Sequence, residues 1–109
     1  MIKYLITALC FCFAATHVQA AGNPAAGKEK SQTCAACHGM DGNSPLAMNP
    51  ILAGQYEDYL IHALEAYKTG ERKNAIMAGM AAPLSDEDIA DLAAYYSRQK
   101  GLYDTPAGK

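Results

Sequence analysis

The sequence predicts an all-α domain of about three main helices joined by loops. Three observations carry this expectation. Three stretches combine helix caps with apolar residues at helical spacing. No stretch alternates apolar and polar residues long enough for a pair of strands. Between the first two helical stretches, residues 39–50 hold Gly39, Gly42, Asn43, Pro45 and Pro50, a composition that makes loop.

The first helix is expected over about 24–34. Asn23 is a capping residue, and Pro24 suits the first helical position because its missing N–H has no intrahelical partner there. Lys28, Glu29 and Lys30 fall on its wet side. Gly27 weakens such a helix by about 1 kcal/mol relative to alanine, so close approach of another helix is one reading of it and simple tolerance the other. The second helix is expected over about 55–69, stopped by Gly70. Tyr56, Leu60, Ala63, Leu64 and Tyr67 share one face, whereas Glu57, Asp58 and Glu65 lie elsewhere. His62 reads as a surface residue, since no partner has metal-ligand spacing. The third helix opens after Ser85, with Asp88 three residues on as an acidic capping box and Leu84 and Ile89 as a hydrophobic staple. Asp86, Glu87 and Asp88 favour the positive end of its dipole, and Arg98 and Lys100 the negative end before Gly101. Ile89, Leu92, Ala93 and Tyr96 form its apolar face, and the tail 103–109 reads as frayed.

The chemistry lies in Cys34-Ala35-Ala36-Cys37-His38. C-x-x-C-H is the attachment signal of a c-type haem. One helical turn separates two thiols that add to the two haem vinyl groups, and the next residue, His38, offers an imidazole nitrogen to the iron. A structural zinc site needs two more ligands, and the other cysteines, Cys10 and Cys12, fall in the leader described below. A thioredoxin-like pair needs a strand before it, and none is present. The domain is therefore expected to wrap around one covalently bound haem.

The N-terminus reads as a cleaved secretory signal peptide spanning residues 1–20. Lys3 is a short positive region, 4–15 is an apolar run, and Val18-Gln19-Ala20 is an A-x-A-like cleavage site. The run is short for a membrane span. Residues 21–109 then form a single domain of 89 residues, small enough that a covalent haem adds substantially to its core. It carries 8 basic and 11 acidic residues, with no basic run longer than Arg72-Lys73, which disfavours nucleic acid. No nucleotide-binding glycine loop or Ser/His/Asp arrangement is present. A soluble, periplasmic protein with no stable membrane insertion after cleavage is expected.

A sixth iron ligand decides between electron transfer and chemistry at the metal. Met40, Met48, Met77 and Met80 are available. Two of them, Met77 and Met80, lie in a segment of small residues, 74–83, expected as a loop able to reach the face opposite His38; periodicity does not choose between them.

The chain resembles a small class I cytochrome c, and in particular one half of the dihaem c-four cytochromes and their monohaem relatives. The matching stretches include Cys34 to Gly39, Asp41-Gly42-Asn43-Ser44-Pro45, Pro50, Leu52-Ala53-Gly54-Gln55, Met77-Ala78-Gly79-Met80 and the run from Leu84 to Tyr96. The resemblance implies a small cytochrome c fold, Cys34 and Cys37 as thioether positions, and His38 as the proximal ligand. It implies Met77, seven residues before Leu84, as the axial methionine, with Met80 as the fallback. It implies Pro50 as the carbonyl that accepts the other ring N–H of His38, and Gly27 as the crossing point of the first and last helices, covered by Tyr95 or Tyr96. The c-four proteins carry two such domains, so their partner arrangement does not transfer. The function implied is that of a periplasmic monohaem carrier, not an enzyme, moving single electrons between redox proteins that dock transiently. The alternatives are a haem enzyme or gas-binding protein with a labile sixth ligand, for which His62 is the one distal candidate, and a haem subunit of a larger dehydrogenase.

Overall fold

The computed structural model describes residues 21–102; the expected leader and the tail from 103 lie outside them. Five helices follow in order: α1 (Pro24–Lys30), α2 (Gln32–His38), α3 (Glu57–Thr69), α4 (Ala75–Ala81) and α5 (Asp86–Ser97). No strand occurs among the described residues.

Two differences from expectation have local causes. The first helix breaks at Ser31 instead of running to residue 34. The Ser31 hydroxyl donates to the Lys28 carbonyl at 2.7 Å, and the Cys34 N–H reaches back only three residues, to the Ser31 carbonyl at 2.9 Å. A serine hydroxyl competes in this way with the regular ladder, and the tighter turn starts a new helix, α2. The segment expected as a loop at 74–83 contains α4. Asn74 caps it, its side-chain oxygen accepting the Met77 N–H at 3.0 Å.

The other boundaries follow their caps. Asn23 accepts the N–H groups of Ala25 and Ala26. Gly70 ends α3 in the left-handed conformation, at φ +80°. The capping box of α5 is complete: Ser85 Oγ accepts the Asp88 N–H at 3.1 Å, and Asp88 accepts the Ser85 N–H at 2.9 Å. Helix α5 ends at Ser97, short of Gly101, with the Gln99 side chain donating to the Tyr95 carbonyl.

Helix α5 is the axis of the fold. Every residue from Ile89 to Tyr96 is buried, the expected apolar face and also Ala90, Asp91, Ala94 and Tyr95. Both α1 and α3 pack on it, and α4 packs on α3. A β-carbon built on Gly27 would lie 2.0 Å from the Asp91 carbonyl oxygen and 2.8 Å from Tyr95 Cβ. The glycine is therefore required by backbone contact, with Tyr95 and not Tyr96 beside it. Tyr56, expected on the α3 face, is instead its exposed N-cap residue.

A polar clasp closes the same crossing. Asp91 accepts the Asn23 N–H at 2.7 Å and the Lys30 ammonium at 2.6 Å, and Lys30 also meets Asp88 at 2.8 Å. The Lys30 ammonium, with the Ser85 N–H and hydroxyl behind it, holds the Asp88 carboxyl down to about 2. Lys30 and then the Asn23 N–H hold Asp91 below the ordinary carboxylate range. The two aspartates raise Lys30 in return.

Two expectations follow. Gly27→Ala should lose the usual helix gain of about 1 kcal/mol and instead destabilise the protein by the ~1–3 kcal/mol typical of overpacking. Urea melts measure this, and a variant melting at higher urea than the parent would place Gly27 on an open face. The aspartates titrate lower in the folded protein than the ~3.9 of the unfolded chain, so their contribution is complete above about pH 5 and is lost as the pH falls from there towards 2. Thermal melts across that range should show a falling acid limb. Lys30→Gln should lower the neutral plateau and flatten that limb, because aspartates that titrate nearer their unfolded value contribute less pH dependence; a limb of unchanged steepness would leave the clasp without a role in acid stability.

Candidate functional site

Helix α2 carries Cys34 and, one turn on, the neighbours Cys37 and His38. Cys34 is half-buried, Cys37 is exposed and His38 is buried. The break at Ser31 thus lets one short helix hold both thiols and the imidazole. After His38 the chain must turn back sharply, and Gly39 and Gly42, both at φ +83°, permit it. A β-carbon at Gly42 would also meet the Tyr96 ring at 2.7 Å. The returning loop is tied to the end of α2: the Cys37 carbonyl accepts from Ser44 Oγ at 3.1 Å and from Asn49 Nδ2 at 2.9 Å. Asn43 fastens it to the segment after α5 through the Lys100 carbonyl at 2.8 Å, and its side chain holds the Asp41 carboxyl below the ordinary range.

This turn brings the Pro50 carbonyl to 2.8 Å from His38 Nδ1. A carbonyl only accepts, so Nδ1 carries the proton and Nε2 keeps its lone pair. His38 lines an apolar cleft that opens to solvent. Cys34 joins it from α2, Leu60, Leu64 and Tyr67 from α3, and Leu92, Ala93 and Tyr96 from α5.

Of the methionines, Met77 lines the cleft. Met80 is 39% exposed, Met40 66% and Met48 84%, and all three lie outside the lining. His62 is exposed on the outer side of α3. Sequence reasoning missed three polar features. Arg72 lines the cleft, its guanidinium 4.9 Å over the Tyr67 ring and 3.4 Å from Tyr59 Oη, and no ion pair among the described residues involves it. In the sequence it was one half of a short basic pair with no periodicity to place it. Asp91 is buried at the helix crossing, although charge alone reads as surface. Tyr96 is 3% exposed, and its hydroxyl has no hydrogen-bond partner among the described residues. Burial pushes that hydroxyl well above the ordinary phenol range.

The donor set fits a c-type haem: two thiols one helical turn apart, an imidazole with its inner nitrogen free, a thioether from α4, apolar walls and one unpaired cation for carboxylates. The cleft is apolar where a macrocycle needs it and lacks a guest of its own side chains.

The comparisons agree with this reading. The cytochrome c family model matches residues 24–98, and the chain belongs to the cytochrome c family, whose members carry covalent haem c. It is 45% identical over 100 residues to cytochrome c4 of Pseudomonas aeruginosa, covering 92% of this chain and 50% of that protein. It is 52% identical over 83 residues to cytochrome c-554(548) of Halomonas halodenitrificans, covering 73% of this chain and 100% of the relative. The crystal structure of reduced recombinant cytochrome c4 from Pseudomonas stutzeri superposes with a TM-score of 0.71 at 49% identity, over 74% of this chain and 47% of the other. The chain thus spans about half the length of the cytochrome c4 proteins it matches.

Proposed function

We propose that this chain is a c-type electron carrier, with no substrate chemistry at the iron. The observation that carries the reading is the pairing, in one apolar cleft, of an Nδ1-tethered His38 with Met77. When bound, the haem supplies an iron that takes up and returns one electron. Cys34 and Cys37 hold it as thioethers. His38 offers Nε2, and the Pro50 carbonyl fixes the ring's tautomer and orientation and raises its basicity. Met77 would offer a soft sulfur, which favours the ferrous form, and Met80, exposed and outside the cleft lining, would not ligate. Arg72, steadied by Tyr59 and Tyr67, receives the haem carboxylates. With His38 and Met77 both engaged in this way, substrate or gas would have to displace a side chain to reach the metal.

The compartment belongs to the same reading. Attachment of this kind occurs after export, the leader 1–20 directs the chain to the periplasm, and Ala21 becomes the mature N-terminus. Among the described residues no helix is long and apolar enough to cross a membrane.

Cys37, exposed at the end of α2, would hold the part of the haem nearest solvent, where electrons would pass. Met40, Leu46, Met48 and Ile51 are all exposed in the loop that the Cys37 carbonyl holds. From residue 31 to residue 67 the chain has no lysine or arginine, and from 39 to 56 its one charge is Asp41. Redox partners therefore dock on a nearly neutral, apolar collar. Four side chains are few beside the 20–30 residues per side of a stable interface, so contact is brief.

Ligand substitution tests the assignment. Met77→Ala should abolish the near-infrared sulfur-to-iron band, admit carbon monoxide at neutral pH and lower the potential, whereas Met80→Ala should keep the band. The reverse pattern moves the sulfur ligand to Met80, a band kept in both variants moves it to another methionine such as Met40 or Met48, and a band absent from the parent removes methionine ligation altogether. Docking has its own readout in electron self-exchange between oxidised and reduced copies, followed by NMR. The parent rate should vary little with ionic strength. Met48→Lys should slow exchange at low salt and recover as salt screens the introduced charge over a Debye length of about 10 Å at 0.1 M. An unchanged rate would place docking elsewhere.

A further inference from the structure

The cleft face of α5 reads Leu92, Ala93, Tyr96, and at the third position an apolar ring would fill the same space. The chain instead places a phenol there. Its hydroxyl is buried with no partner among the described residues, a rare condition for a polar atom in a folded protein. The ring has no freedom to carry the oxygen elsewhere. Gly42 leaves room for it and for nothing more, the Tyr95 ring lies 5.1 Å away, and the Tyr96 carbonyl is held by the Gly54 N–H at 3.0 Å. Two side chains border the hydroxyl, Ser31 and Cys34. The Ser31 hydroxyl gives its one proton to the Lys28 carbonyl and has only lone pairs to offer Tyr96, yet no hydrogen bond joins the two. Cys34 remains, and its sulfur changes character on attachment: a thiol that rotates becomes a thioether whose position is fixed and whose lone pairs only accept.

We propose that Tyr96 is a tuning residue whose hydroxyl donates a hydrogen bond to the Cys34 thioether sulfur once the haem is attached. The bond satisfies the buried phenol, pins one corner of the macrocycle to α5 and draws electron density from the haem periphery, which favours the ferrous state. Hydrogen bonding at the edge of a redox group is one of the levers a protein has on its potential. The inference rests on covalent attachment at Cys34, so the test begins with holo-protein shown by mass to carry haem; absence of that mass defeats the functional reading itself.

Tyr96→Phe removes one oxygen and keeps the ring. In the holo-protein it should lower the midpoint potential and shift the resonance Raman carbon–sulfur stretching band of the Cys34 thioether, with the sulfur-to-iron band unchanged. A second measurement needs no variant: exchange of the parent into deuterium oxide should shift the same carbon–sulfur band. That isotope shift should vanish in Tyr96→Phe. Loaded protein whose carbon–sulfur band is indifferent to both deuterium and the loss of the hydroxyl overturns the proposal, whatever the potential does.

Discussion

The contact between Gly27 and the Asp91 carbonyl sets the position of everything that follows it in the chain. With no β-carbon between them, α1 lies directly on the backbone of α5. The Ser31 turn then converts the direction of α1 into that of α2, and α2 holds the thiols and the imidazole. The aim of His38 into the cleft is thus fixed one helix upstream of it. The clasp of Asp91 with Lys30 and the Asn23 N–H closes the two ends of α1 onto the same helix, so α1 neither slides nor rotates.

The core is correspondingly lopsided. Leu60, Leu92, Ala93, Tyr95 and Tyr96 pack together, and beyond them lies the cleft, where a domain of this size would otherwise place more side chains. Small domains have little apolar burial to spare. A covalently held apolar guest fills that deficit, so cofactor and core are two descriptions of one packing problem. Arg72 and the tyrosines about it supply the polar edge such a guest requires.

Much of this was legible in the chain. C-x-x-C-H names its chemistry by spacing alone, and the caps of α1 and α5 stand in the sequence as Asn23-Pro24 and Ser85 with Asp88. The break at Ser31 was not legible, because a serine inside a helical pattern declares neither continuation nor turn until its hydroxyl finds the Lys28 carbonyl. Helix α4 was hidden by its own composition: small residues with one glycine read as loop, and the Asn74 cap outweighed them. Burial of Asp91 and the stranded Tyr96 hydroxyl depend on which elements meet, which a period of 3.6 residues does not record. The roles of Met77 and Pro50 came from resemblance to a family, since local pattern left the methionines equivalent.

The closing partner of α1 is also the last helix of the chain. Asn23 and Asp91 are separated by 68 positions, and contacts of such long sequence separation slow folding because the loop between them must close first. A chain that emerges N-terminus first exposes α2 while α5 is still to come. Cys34 and Cys37 therefore emerge before the helix that walls the cleft beside them.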